Sequence, residues 1–108
     1  MNDFSEQTIH NLARFPNAKI GFLFNDDAKF FRYKCCLNTL QLFEKNLRII
    51  DTDSFYEVIN LATNTVVTLC RSEAKNRISR SHLIFTDDSI TANDWYWSQK
   101  ADVVYHTI

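Results

Sequence analysis

Residues 54–77, SFYEVINLATNTVVTLCRSEAKNR, decide the fold because two opposite interpretations fit them. Ser54 and Glu57 have the spacing of a helix capping box, and the apolar residues that follow recur at helical intervals. Against a helix, five of the six residues at 63–68 are threonine or valine, whose branched side chains lose freedom in a helix and fit a pleated sheet. Asn64 lies where a hairpin turn favours asparagine or glycine.

We therefore predict a β-hairpin with strands at 55–61 and 66–71. A short helix capped by Ser72 is expected to follow, running through Ala74 and Ile78.

The flanking segments add a helix and two more strands. Residues 3–15 carry a capping pattern and an apolar face, and Pro16 ends that helix because it disfavours helical geometry in the preceding residue. KIGFLF (19–24) alternates as a buried strand does, and HLIF (82–85) is short and apolar. Both are predicted as strands.

The segment 27–47 again has two interpretations. As one long helix, its apolar residues fall on a single arc with no helix-breaking residue between them. As a strand followed by a helix, residues 31–37 alternate and Asn38 caps the second element. We favour the long helix.

Residues 92–107 are predicted as a terminal helix rather than strands. Thr91 and Asp94 give a capping pattern, and Trp97 begins an apolar stripe that continues to the end of the chain. On such a helix Trp95 and Tyr96 point away from the stripe.

Together these elements predict an α+β fold, with a short antiparallel sheet built around the 55–71 hairpin and helices packed on one face. An all-α bundle is the alternative. At 108 residues, with 45% hydrophobic and 14% aromatic residues, the sequence is expected to form one compact domain, 1–108.

Composition excludes several functional classes. Gly21 is the only glycine, so the glycine-rich loops that hold nucleotide phosphates are absent. No apolar run is long enough to span a membrane, and the first residues lack a secretion signal. Three cysteines, two of them adjacent, do not form a simple disulfide framework. We expect a cytoplasmic protein that does not associate with a membrane.

The exposed aromatic pair Trp95 and Tyr96 is the leading candidate interface, because aromatic side chains dominate the binding energy of protein contacts. It predicts a non-enzymatic binding module, an adaptor or inhibitor that covers a partner protein. Homodimerisation through the same pair is a variant of this hypothesis.

The basic segment 71–82 supplies the second hypothesis, weak nucleic-acid binding through Arg71, Lys75, Arg77 and Arg80. On a helix these cations do not share one face, and four are few for a duplex. Nucleic acid is therefore the less favoured partner.

Catalytic and metal-binding patterns are missing from the sequence. No cysteine has a histidine nearby in sequence, no metal-ligand spacing occurs, and Asp51 and Asp53 fit turn or capping roles. We predict no catalytic residue, no metal and no cofactor. A small-molecule pocket or enzyme site around Trp95, Tyr33 and a buried histidine is the third hypothesis.

Overall fold

The computed structural model describes residues 4–87, 99–105 and 108. Two α-helices, two 3-10 helices and six strands lie wholly within them, and residues 99–100 are also helical. In chain order they are α1 (Glu6–Leu12), β1 (Lys19–Phe24), α2 (Asp27–Asn38), a first 3-10 helix (Thr39–Leu42), β2 (Leu47–Asp51), β3 (Phe55–Asn60), β4 (Thr65–Arg71), a second 3-10 helix (Ser72–Arg77), β5 (Ser81–Thr86) and β6 (Ala101–Tyr105).

The hairpin prediction is confirmed. β3 and β4 pair antiparallel from Phe55 opposite Cys70 to Asn60 opposite Thr65. Asn64 in the connecting turn has a φ of 57°, a left-handed conformation that asparagine tolerates better than most residues. The branched residues around this turn therefore form strands and not a helix.

The strands form one sheet in the order β2-β3-β4-β1-β5-β6. β1 lies between β4 and β5 and is parallel to both, and β6 is parallel to β5. The α+β class is confirmed, and the all-α alternative is wrong. The sheet is larger than the predicted one and mixed, because KIGFLF and HLIF join the hairpin in parallel.

Both faces of the sheet are covered at its centre. On one face α1 and α2 pack over β1, and the aromatic rings of Phe22, Phe24, Phe30 and Tyr33 fill the core. On the other face a smaller cluster surrounds Ile78, which follows the second 3-10 helix. This smaller cluster contains Leu23, Phe55, Cys70, Ile78, Ile84 and Ala101.

The prediction of one helix over 27–47 is wrong. α2 ends at Asn38, a 3-10 helix follows, and Leu47 begins β2. The apolar spacing continues past Asn38, but β2 gains a full ladder of hydrogen bonds with β3 that a longer helix would forgo. The alternative, a strand before Asn38, is wrong as well, because this region is helical.

The predicted terminal helix is wrong where it overlaps β6, which pairs with β5. Val103, Val104 and Tyr105 are branched or aromatic residues that suit a strand beside an available sheet edge. Residues 99–100, just before β6, are helical as predicted, and the rest of that prediction, at 92–98 and 106–107, lies outside the described residues.

At the other end of the chain, α1 begins later than predicted. Ser5 caps the helix, its hydroxyl accepting the Thr8 amide at 3.1 Å. Among the described helices, none has the length and apolar character needed to span a bilayer.

Candidate functional site

Trp95 and Tyr96, the predicted interface, fall outside the described residues, as does Trp97. Their role at an interface stays a prediction. The candidate surfaces described below are formed by other residues.

Two of the four candidate nucleic-acid-binding residues lie on opposite faces of the sheet. The Arg71 guanidinium lies on the α2 side, 5.1 Å and 5.2 Å from the ring centres of Phe30 and Phe31, with its Nε 3.5 Å from the Asp27 carboxylate. The Arg77 guanidinium lies on the other side, 4.3 Å from the ring centre of Phe55. These cations pack on aromatic rings of the same chain.

The other two basic residues do not join them. Arg80 precedes β5, at the opposite end of the parallel strands from Arg71, and its side chain is 2.5 Å from Asp102. Lys75 is exposed in the second 3-10 helix. The fold therefore does not assemble the four cations into one patch that could follow a phosphate backbone.

Two of the three cysteine side chains, Cys36 and Cys70, are poor nucleophiles in this fold. Cys70 is fully buried, and burial raises the pKa of its thiol to about 11, although Arg77 and Lys100 partly oppose the shift. Burial likewise raises the pKa of Cys36. Because the thiolate is the reactive form, these two thiols stay protonated and unreactive near neutral pH.

Of the residues in the third hypothesis, Tyr33 and the buried histidine, His10, serve the core, and Trp95 lies outside the described residues. His10 is buried, its Nε2 2.7 Å from the Cys36 carbonyl oxygen and 3.0 Å from the Thr39 hydroxyl, so it ties α1 to the end of α2. Tyr33 is fully buried and its hydroxyl accepts the Phe4 amide. Neither His10 nor Tyr33 lines either of the two surface depressions described below.

Acidic side chains do not combine into a metal site in the described part of the chain. Asp51 is 2.5 Å from the Lys34 ammonium group, which neutralises it. The pair Asp51 and Asp53 therefore does not present two free carboxylates.

A polar depression of about 280 Å³ opens where β1 and β4 end, lined by Phe24, Asn25, Asp27, Arg71, Ser72 and Glu73. Ligands of open sheets with parallel strands often bind at this position. Here the polar groups bind one another, since Ser72 donates to the Phe24 carbonyl and Arg71 lies between the carboxylates of Asp27 and Glu73.

The same end of the sheet is braced by two further carboxylates. Asp87 accepts the amides of Asn25 and Asp26 at 2.6 Å and 2.9 Å, and Asp26 accepts those of Ala28 and Lys29 as the cap of α2. These contacts fix the turn between β1 and α2. The depression is thus a structural junction rather than a preformed ligand site.

A second depression, of about 350 Å³, lies at the opposite end and is lined by Lys19, Arg80, Ser81, His82 and Asp102. The Lys19 amide donates to His82 Nδ1 at 3.0 Å. Asp102 offsets the charge of Arg80, so the Lys19 ammonium group leaves the lining with a net charge of about +1.

Four large apolar side chains remain exposed at the end of the sheet where β1 and β4 begin. Phe15 is 63% exposed, Leu42 79%, Phe43 66% and Leu61 58%. We call these four residues the end surface. Single exposed apolar residues are ordinary, whereas several at one end of a small domain indicate a contact site.

Hydrogen bonds hold the three segments of the end surface together. The Arg14 side chain is 2.7 Å from Glu44, which joins the segment of Phe15 to that of Phe43. The Leu61 amide donates to the Asn46 carbonyl oxygen at 2.8 Å, and the Asn60 side chain donates to Ala13. The backbone beneath the end surface is therefore fixed.

The end surface was not predicted from the sequence. By its spacing, Phe15 falls on the apolar face of the predicted 3–15 helix and Phe43 on the apolar arc of the predicted 27–47 helix, and both positions predict burial. Nothing in their residue type separates them from the phenylalanines that fill the core. Comparison with known proteins finds no relative of this chain: it matches no family model, no curated protein and no solved structure.

Proposed function

We propose that the protein is a non-enzymatic binding module that acts as an adaptor or inhibitor by covering a partner protein with its end surface. The observation that carries this proposal is the exposure of Phe15, Leu42, Phe43 and Leu61 at one end of the sheet. With about 190 Å² for a fully exposed large apolar side chain, they present roughly 500 Å². The largest apolar patch of a typical monomer is about 300–600 Å² and is often functional.

The chemistry of the end surface favours a protein as the partner. Its charged neighbours Arg14 and Glu44 form an ion pair, so the pair adds no net charge that would select a nucleic acid or an anionic lipid. Polar side chains of Asn17 and Asn64 border the same end, hydrogen-bonded to each other at 3.1 Å. An apolar centre with a polar rim is the usual anatomy of a protein interface.

The partner that fits is an apolar segment about one helix or strand long. A patch of this size covers less than the 800 Å² per partner of a standard interface, so we expect binding that is transient or completed by further contacts. Trp95 and Tyr96 are our candidates for such contacts. The three free cysteines support a reducing, cytoplasmic location.

The test uses peptides selected from a random 12-residue display library against the immobilised protein. Leu42→Ser combined with Phe43→Ser should weaken the selected peptides at least tenfold. Val103→Ser, a substitution at an exposed apolar residue on β6, should leave their affinity unchanged. Because the replaced side chains are exposed, we expect stability changes of about 0.5 kcal/mol or less in each case. The proposal is disproved if the selected peptides bind the variant with Leu42→Ser and Phe43→Ser as tightly as they bind the Val103→Ser variant.

A further inference from the structure

Strand β2 forms an open edge of the described sheet. It pairs with β3 on one side, continuously from Leu47 opposite Asn60 to Asp51 opposite Tyr56. The ladder extends one residue at each end, because the Leu61 amide donates to Asn46 and the Thr52 amide donates to Phe55.

These two terminal hydrogen bonds fix the direction of every backbone group in β2. In an antiparallel pair, residues whose N–H and C=O groups point to the partner alternate with residues whose groups point away. Asn46 and Thr52 bond inward, so the even-numbered residues between them do as well. The backbone groups of Leu47, Ile49 and Asp51 therefore point outward, at an edge where no described strand receives them.

This edge lacks two of the usual devices that prevent sheets from joining. Proline occurs only at position 16 of the chain, and the continuous register of β2 leaves no place for a bulge. Asp51 is the one carboxylate that β2 carries on its helix side, and its charge is neutralised by Lys34 of α2.

We propose that two copies of the chain pair β2 to β2, antiparallel, about a two-fold axis at Ile49. The outward groups of Leu47, Ile49 and Asp51 then bond to those of Asp51, Ile49 and Leu47 in the second copy, with about six hydrogen bonds in all. The two sheets become one continuous sheet. A second copy presents the same outward groups in the same spacing, which a two-fold contact requires.

Charge selects this register over its neighbours. Lys45 and Asp53 each lie four residues from Ile49, two residues beyond the ends of β2, so each lysine comes beside the aspartate of the second copy where the paired strands end. Moving the axis to Arg48 would place two arginines opposite each other, which is unfavourable. Moving it to Ile50 would keep an apolar pair at the axis but separate Lys45 from Asp53.

The proposal uses the backbone of β2 and none of the end-surface side chains. It can therefore be tested independently of the proposed function. Sedimentation equilibrium up to about 1 mM protein should show a monomer–dimer equilibrium for the unmodified chain. Asp51→Pro removes an outward N–H and leaves the bonds to β3 intact, so it should weaken dimerisation at least tenfold while circular dichroism stays unchanged.

Charge exchange tests the register. Lys45→Asp and Asp53→Lys should each weaken the dimer about three- to tenfold, because each creates like-charged pairs, and the double variant should return to within twofold of the original. The proposal is overturned if the unmodified chain is a monomer at 1 mM, or if Asp51→Pro leaves the dimer unaffected. It is also overturned if dimerisation of the double variant is weakened by the product of the factors measured for the two single variants. It is also overturned if Phe43→Ser abolishes the dimer, an outcome that would leave the end surface as a protein contact.

Discussion

Replacing Gly21 by alanine tests the packing at the centre of the sheet. Gly21 is the only glycine, and it lies on β1 beneath Ile78. A Cβ atom added there would be 3.1 Å from Ile78 Cδ1, 3.2 Å from Ile84 Cγ1 and 3.4 Å from the Ser81 hydroxyl. Carbon atoms prefer separations of about 3.5–4.0 Å, so two side chains would have to retreat by a few tenths of an ångström.

The expected change follows from two opposing terms. Overpacking a well-filled core destabilises by about 1–3 kcal/mol, and alanine is favoured over glycine within a strand by about 0.5–1 kcal/mol. We therefore expect Gly21→Ala to lower the free energy of unfolding by about 1 kcal/mol. Ile78→Val removes the methyl group nearest the added Cβ and should by itself lower it by about 0.5–1.5 kcal/mol.

The double variant distinguishes a steric cause from any other. If the new Cβ occupies the space that Ile78 Cδ1 leaves, Gly21→Ala with Ile78→Val should be about 1 kcal/mol more stable than the sum of the single changes. Ile20→Val is the matched control, because Ile20 faces α1 and α2 and should combine additively with Gly21→Ala. Denaturation in urea, followed by circular dichroism, gives these values. An additive double variant, or a Gly21→Ala protein as stable as the original, would refute the packing argument.

Two further predictions concern charge. Asp87→Ala should lower the free energy of unfolding by about 1.5–3 kcal/mol, because the amides of Asn25 and Asp26 lose a charged acceptor, and Asp87→Asn should lower it less; equal stability by urea denaturation would contradict this role. Burial raises the pKa of Cys70 to about 11 from 9.0, so the unfolded chain loses this proton first and stability falls by roughly 2 kcal/mol as pH rises from 9 to 11. Cys70→Ala should remove this contribution and leave the falls due to Cys36 and Tyr56, whose pKa values burial also raises, that of Tyr56 to about 12; an unchanged pH profile would contradict it.

Local sequence patterns predicted those elements in which the residue composition and the flanking residues favour the same secondary structure. The hairpin was predictable because branched residues flank Asn64, a residue suited to its left-handed turn. KIGFLF and HLIF were predictable as strands for a similar reason, since each is a short apolar run. In the structure each is buried in the middle of the sheet.

The remaining elements depend on distant partners. Leu47 continues a helical stripe in the sequence, yet it begins β2, because β2 pairs with β3 and Leu47 lies opposite Asn60, 13 residues further along. The parallel insertion of β1 between β4 and β5 has no local signal at all. The end surface could not be predicted for the same reason, since exposure of Phe15 and Phe43 depends on how three separate segments close.

The position of β1 has a consequence for biosynthesis. Of the described strands β1 leaves the ribosome first, and its partners in β4 and β5 follow 47 and 63 residues later, from Lys19 to Val66 and from Ile20 to Leu83. The β3–β4 hairpin can form as soon as it emerges, because its contacts are local. The nascent chain therefore carries an unpaired apolar KIGFLF segment until the hairpin offers it an edge, and a transiently exposed apolar segment of this kind is prone to aggregation.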